Sequence, residues 1–331
     1  MIYSSVIDLI GRTPVVPIHK MASPDGAQVY VKLEGYNPGG SMKDRTAQNI
    51  IRHAEMCGDL KPGGVIVESS SGNLAIGLAM IACLKGYKMI AVVDPKINRV
   101  NLRILQAYGA EIQMVDKPDE NGNFLSARLE IVKRISETMD NVFWPNQYNN
   151  PSNPEAHRLG TAREIFNDFG QELDWVVTPV GTAGLSTGCS LGLKELIPHI
   201  KVLAVDAVGS VIFGTPPGPR LQVGLGAAVV PGNLQRELFD QVVHVTDRDA
   251  FHTTRRLALE EGILAGGSSG AAVHAGLKLA NSLPASQKVL VILPDRGERY
   301  YDTIFSDSWL QEHDIQLNQE EESDYITQIQ F

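Results

Sequence analysis

The sequence predicts an α/β fold with parallel-rich sheets divided between two lobes. Short Val/Ile/Leu-rich runs alternate with amphipathic stretches along most of the 331 residues. Several of these runs are continuously apolar rather than alternating, the pattern of strands covered on both faces. There are enough of them to fill two sheets.

Strands are expected at 29–32, 65–68, 89–93, 112–115, 175–178, 202–205, 242–245 and 289–293. Helical periodicity falls between them, at 44–56, 73–84, 100–108, 124–139, 155–169, 187–196, 247–261 and 269–281. The Pro/Asn-rich stretch 144–154 is the expected passage between lobes. No internal repeat is visible. Residues 311–331 are polar and acidic with no evident core face, and are expected to form a solvated or loosely docked tail.

With 43% hydrophobic and 20% charged residues, the composition is that of a soluble globular chain. The net charge of −9, with no basic stripe, argues against a nucleic-acid surface. No stretch has the length of a membrane span, and the first residues lack the basic-then-apolar pattern of a signal peptide. Cys57, Cys83 and Cys189 form no CxxC or Cys/His cluster, and the eight histidines show no metal spacing. A reducing cytoplasm, no metal and buried, inert thiols are expected.

Three segments have the residue types for chemistry. In the first, Asn37-Pro38-Gly39-Gly40 turns into Ser41-Met42-Lys43-Asp44-Arg45 at a helix start. The positive helix end and burial both disfavour an ammonium there, freeing a neutral amine for imine formation. A solvated surface lysine is the alternative. In the second, Glu68-Ser69-Ser70-Ser71-Gly72-Asn73 joins a strand end to a helix start, and its hydroxyls and N–H groups suit a carboxylate or phosphate. Simple N-capping would explain part of it. The third, Gly181-Thr182-Ala183-Gly184-Leu185-Ser186-Thr187, lets backbone approach a phosphate, yet is neither GxGxxG nor a P-loop. Gln147, Tyr148, Arg220 and Asp295 are further candidates. Asp295 follows a buried-type strand, where ligands of open α/β sheets gather. Tyr148 as boundary packing, Arg220 as a loop charge and Asp295 as a helix cap are the plainer readings.

In this order the segments resemble the fold-type II pyridoxal-5′-phosphate (PLP) enzymes of the cysteine synthase/cystathionine β-synthase family. The resemblance runs from Ile7-Asp8-Leu9-Ile10-Gly11-Arg12-Thr13-Pro14 to Tyr300. It includes Gln147-Tyr148-Asn149-Asn150-Pro151, Gly224-Leu225-Gly226-Ala227, Ala265-Gly266-Gly267-Ser268-Ser269-Gly270-Ala271 and Gly297-Glu298-Arg299-Tyr300. It implies a two-lobed, tryptophan synthase β-like fold. Residues 36–146 would form a smaller mobile lobe, and 1–35 with 147–310 a larger, cofactor-phosphate-binding one.

The resemblance also implies PLP as cofactor, with Lys43 as Schiff-base lysine and acid/base at Cα. Asn73 would bond the cofactor's ring oxygen, and Gly181, Thr182, Ala183, Gly184 and Thr187 would hold its phosphate. Ser70, Ser71 and Gln147 would clamp a substrate carboxylate, with Ser69 beside them as a further substrate-binding residue. The position matched to the pyridine nitrogen, usually Ser or Thr, reads Asp295. Amino-acid substrates and a homodimer are the implied partners.

Departures from ordinary cysteine synthases occur at Leu74, 93–102, 206–214 and 293–297. They resemble a branch that joins O-phospho-L-serine to L-glutamate in siderophore-type 2,3-diaminopropionate biosynthesis. There Tyr148 and Arg220 would receive anionic groups. A cysteine synthase using sulfide, a serine/threonine dehydratase and a non-catalytic PLP-binding regulator stay open as alternatives.

Overall fold

The computed structural model describes residues 2–120 and 124–317. Its strands are β1 (Val15–Pro17), β2 (Gln28–Leu33), β3 (Val65–Ser69), β4 (Lys88–Val93), β5 (Glu111–Met114), β6 (Val142–Phe143), β7 (Trp175–Pro179), β8 (Lys201–Ala207), β9 (Gln241–Val245) and β10 (Lys288–Leu293). One sheet runs β1-β2-β10-β7-β8-β9 and is parallel except for β1; the other, β5-β4-β3-β6, is parallel throughout. All eight expected strands are present.

Each sheet is covered on both faces, which explains the unbroken apolar runs. In the larger sheet Val29, Val31, Val177, Leu203, Val205, Val289 and Val291 enter one core, while Val176, Val202, Ala204, Leu290 and Ile292 enter another. The smaller sheet splits Ile66, Ala91 and Val93 from Val65, Val67, Ile90 and Val92 in the same way. The alternation is the period of two that side chains on a strand must have.

The principal helices are α1 (Lys43–Cys57), α2 (Asn73–Lys85), α3 (Arg99–Ala107), α4 (Phe124–Thr138), α5 (Ser152–Ala156), α6 (Ala162–Phe169), α7 (Gly184–Leu196), α8 (Asp247–Glu261), α9 (Gly267–Asn281) and α10 (Asp307–Glu312). Helices α1 and α2 stop where Gly58 (φ 79°) and Gly86 (φ 75°) take the left-handed conformation that glycine adopts without a Cβ penalty. The stretch expected as one helix over 155–169 is α5, a wide π turn at His157–Thr161, and α6.

Two expectations change. Cys189 is buried, but Cys57 and Cys83 are exposed because they stand near the ends of α1 and α2, beyond the packed faces. The supposed tail begins as structure: α10 is followed by Ile315 and Leu317, which pack on the larger core. The rest of that expectation, 318–331, lies outside the described residues.

The topology brings chain reversals to one place. Ser69 ends β3, Gly181 follows β7 by two residues, and Asp295 follows β10 by two. Lys43, Asn73, Gly184 and Gly267 are the first residues of α1, α2, α7 and α9. Carboxyl ends of parallel strands and N-termini of helices thus meet, the usual setting for a ligand in an open α/β sheet.

Candidate active site

A cleft of about 590 Å³ opens at this junction. Lys43, Ser69, Ser70, Ser71, Asn73, Gln147, Tyr148, Gly181, Thr182, Arg220 and Asp295 all line it. Ala183, Gly184 and Thr187 do not. Ala183 (φ 59°) makes the turn into α7, and a Cβ on Gly184 would fall 2.0 Å from Asn153 Oδ1. The Thr187 hydroxyl donates to the Asn233 carbonyl at 2.9 Å, inside the wall. The first N–H groups of α7 have no intrahelical acceptors, so the helix end is suited to an anion whether or not those side chains face it.

Lys43 is fixed through its backbone. Its N–H donates to Ser41 Oγ (3.2 Å), and the preceding Met42 N–H donates to the Pro294 carbonyl (2.8 Å). The turn before it is closed by Asp44, whose Oδ2 accepts from the Gly39 N–H at 2.5 Å. A Cβ at Gly39 would lie 2.4 Å from Asp44 Oδ1, so only glycine fits. Burial lowers the Lys43 ammonium to about 8, and the nearby Asp295 opposes the shift. A neutral, nucleophilic amine is therefore accessible near neutral pH. Joining of the cofactor to the cofactor-free chain is expected to speed up as pH rises through about 8; stopped-flow absorbance showing no pH dependence would contradict this.

Arg45 anchors the same helix from behind. Its Nε–H donates to Glu34 Oε2 (2.7 Å) and its Nη1–H to Glu164 Oε1 (2.6 Å), while Lys32 Nζ lies 3.0 Å from Glu164 Oε2. The cluster joins β2, α1 and α6. The charges of Arg45 and Lys32 hold the Glu34 carboxyl low against its burial and Glu164 at about 2.

The Ser69 N–H donates to Glu68 Oε1 (2.8 Å), leaving the Ser69 hydroxyl buried and unpartnered. Ser71 Oγ accepts from Arg128 Nη1 (3.0 Å). Arg220 Nη1 donates to the Leu225 carbonyl (3.1 Å), and its Nε–H is buried without a partner. Burial pushes the Tyr148 phenol up while Arg128 and Arg220 draw it down, so both guanidinium groups reach it electrostatically.

Asn73 and Asp295 are joined directly. Asn73 Nδ2 donates to Asp295 Oδ2 (2.7 Å), the same oxygen accepts from the Tyr300 hydroxyl (2.6 Å), and Asp295 Oδ1 has no partner.

Sequence reasoning missed Lys96, Arg128, Ser268 and Arg299, which also line the cleft. On sequence alone Arg128 reads as the solvated face of α4; only the fold brings it to Ser71. Arg299 lies in the Gly-Glu-Arg-Tyr segment and was within reach of the motif reading. Its Nη2 donates to the Gly39 carbonyl. Among the described residues no group of three or more His, Cys, Asp or Glu stands together for a metal.

The residues fit PLP. A tunable lysine serves the aldehyde, the helix end serves the phosphate, and the unpartnered Asp295 and Ser69 oxygens offer polar contacts that burial would otherwise make costly. Fold and site together define a PLP-dependent enzyme. The chain belongs to the family of pyridoxal-phosphate dependent enzymes, which it matches over residues 6–295.

It is 46% identical over 310 residues to N-(2-amino-2-carboxyethyl)-L-glutamate synthase of Ralstonia nicotianae, covering 94% of this chain and 92% of that one. Among solved structures it is similar to an O-ureido-L-serine synthase (38% identity, TM-score 0.85, 94% of this chain and 100% of that one). It is also similar to an O-acetylserine dependent cystathionine beta-synthase from Helicobacter pylori (35%, TM-score 0.84, 92% and 98%). No described helix is long and apolar enough to cross a membrane.

Proposed function

We propose that the protein catalyses a β-replacement. O-phospho-L-serine loses phosphate from Cβ, and the amine of L-glutamate takes its place, giving N-(2-amino-2-carboxyethyl)-L-glutamate. The observation that carries this reading is charge. In a chain of net charge −9, the cleft is lined by Lys43, Lys96, Arg128, Arg220 and Arg299, with Asp295 as the only acidic lining residue among those described. Sulfide needs no such wall, whereas a phosphate and three carboxylates do. The likeness to the Ralstonia enzyme supports the same reading.

Bound PLP supplies the electron sink for the carbanion at Cα. Lys43 is the residue that would hold it covalently, and the Lys43 amine, when free, would take the donor's Cα proton and later return one. Asn73 orients the ring, and Gly181, Thr182, Ala183, Gly184 and Thr187 shape the phosphate end. Ser69, Ser70, Ser71 and Gln147 receive the donor carboxylate. Arg220, with Tyr148 and Arg128 beside it, receives the departing phosphate and the incoming carboxylates. Glutamate attacks as the neutral amine, so its step accelerates toward alkaline pH.

The smaller lobe, 36–146, closes against 1–35 and 147–310 to exclude water. We extend the reading to a cytoplasmic enzyme of siderophore-type 2,3-diaminopropionate biosynthesis, which its three free cysteines suit. A homodimer would show twice the 36.0 kDa chain mass by light scattering.

The test is to load the enzyme with O-phospho-L-serine alone, let phosphate leave, and mix it with L-glutamate or with sulfide. Glutamate should restore the resting absorbance; recovery with sulfide alone would replace the reading with cysteine synthesis. Arg220→Ala separates the donors. Loss of one charge-assisted contact costs about 1.5–3 kcal/mol, roughly ten- to a hundredfold in kcat/KM. The loss should fall on O-phosphoserine and spare O-acetylserine, and equal losses would give Arg220 another role.

A further inference from the structure

The resemblance puts Asn73 at the cofactor's ring oxygen and Asp295 at its ring nitrogen, and the structure joins these two side chains to each other. The nitrogen and the oxygen leave the pyridine ring along different edges. One side chain cannot donate to the other at 2.7 Å while each serves its own edge. The rest of Asp295's surroundings identifies the edge it occupies. It is 3% exposed and lines the cleft with Lys43 and Asn73. Ser41, two residues before Lys43, forms a β-bridge with Asp295 itself, and Met42 is tied to Pro294. In a PLP imine the lysine nitrogen lies next to the ring oxygen, so Lys43 and Asn73 together mark that edge.

We infer that Asp295 is a positioning residue on the ring-oxygen edge: it holds the Asn73 amide in place and is the acidic group that shares the cleft with Lys43. This rests on Lys43 being the lysine that holds the cofactor. Tyr300 fixes the carboxylate through its hydroxyl, and Oδ1 is buried without a partner against Gly266, where an added Cβ would fall 2.2 Å from it. The other groups bearing on the carboxylate are Arg299, from the turn Gly297–Tyr300, and Lys43 from α1. Arg299 in turn is shared with the Gly39 carbonyl and lies near the buried Asp44. Burial leaves the Asp295 carboxyl above its ordinary range, although Arg299, Tyr300, Asn73 and Lys43 each draw it down; Asp295 reciprocally raises Lys43.

The two placements give opposite signs in one measurement. On the ring-oxygen edge, the carboxylate helps the imine nitrogen keep its proton, so Asp295→Asn should move the loss of the yellow protonated form to lower pH by about one unit or more. On the ring-nitrogen edge, the carboxylate would keep the pyridine protonated and thereby acidify the imine. Its removal would then move the titration to higher pH.

The experiment is a pH titration of the visible absorbance of the full-length holoenzyme, with no substrate added. Wild type, Asp295→Asn and Tyr300→Phe are compared. Tyr300→Phe leaves the carboxylate but removes a bond that favours its ionised form, so a smaller shift in the same direction is expected. It keeps the question answerable should Asp295→Asn fail to fold. A downward shift in either variant supports the inference; an upward shift, or none, overturns it. Borohydride reduction of the same samples reads the underlying assumption separately. Label on a lysine other than Lys43 would remove that assumption whatever the titration shows.

Discussion

Lys43→Ala is expected to abolish turnover, with kcat falling by roughly a thousandfold or more. Positioned acid–base catalysis alone contributes about 10²–10⁴-fold. The same amine is also proposed to make the covalent link to the cofactor, so both contributions go together. No described neighbour offers a second amine in its place: Lys96, the other lysine of the cleft, is exposed, and its Nζ lies 5.6 Å over the Phe124 ring. The variant should still bind PLP, because the helix ends and Asn73 remain, but borohydride should no longer fix it to the chain. Steady-state kinetics and mass spectrometry of the reduced protein check both halves. Retained activity would move the chemistry away from Lys43.

Arg45→Ala is expected to cost about 3–5 kcal/mol of stability, the range for removing one partner of a buried ion pair. Glu34 is fully buried and would lose its closest cation, and Thr13 would lose the Arg45 Nη2 donor at 3.2 Å. Lys32 would remain, held by the Thr13 carbonyl at 3.0 Å and by Glu164. Denaturant unfolding followed by circular dichroism measures the loss. A change below about 1 kcal/mol would mean that the pair is no better than a surface one. The cluster also sets an acid limit. Glu34 and Glu164 have native values below the ordinary 4.5, so their contribution is fully present above that pH. It drains away as pH falls toward the value of about 2 held by Glu164. Wild type should lose stability across that window, and Arg45→Ala should lose much less there.

The sequence made the sheets legible because five of the eight expected strands, β3, β4, β7, β8 and β10, are buried on both faces and need nearly unbroken apolar runs. It did not reveal β1, three residues ending in Pro17, or β6, two residues long. Both are too short to show a period. The π turn at His157–Thr161 was invisible for a related reason: one extra residue inside a helix leaves the apolar pattern on either side nearly intact. Of the site, the residues at helix starts and strand ends were legible because their small, hydroxyl-bearing or glycine-rich segments are locally unusual. Arg128 and the cluster of Lys32, Glu34, Arg45 and Glu164 were not. Each is an ordinary charged residue until the fold brings partners together from as far as 132 residues away, as with Lys32 and Glu164. Asp295 was legible from its place after a buried strand, but nothing local signals its bond to Asn73 across 222 residues.

The most direct measurement offers the purified enzyme O-phospho-L-serine with nitrogen-labelled L-glutamate and sulfide together, and weighs the products. The expected result is a product of the two amino acids' combined mass less phosphoric acid. It should carry the glutamate label and form in step with released phosphate. Cysteine as the sole product, with the labelled glutamate returned unchanged, would contradict the assignment of the cationic cleft to a second amino acid.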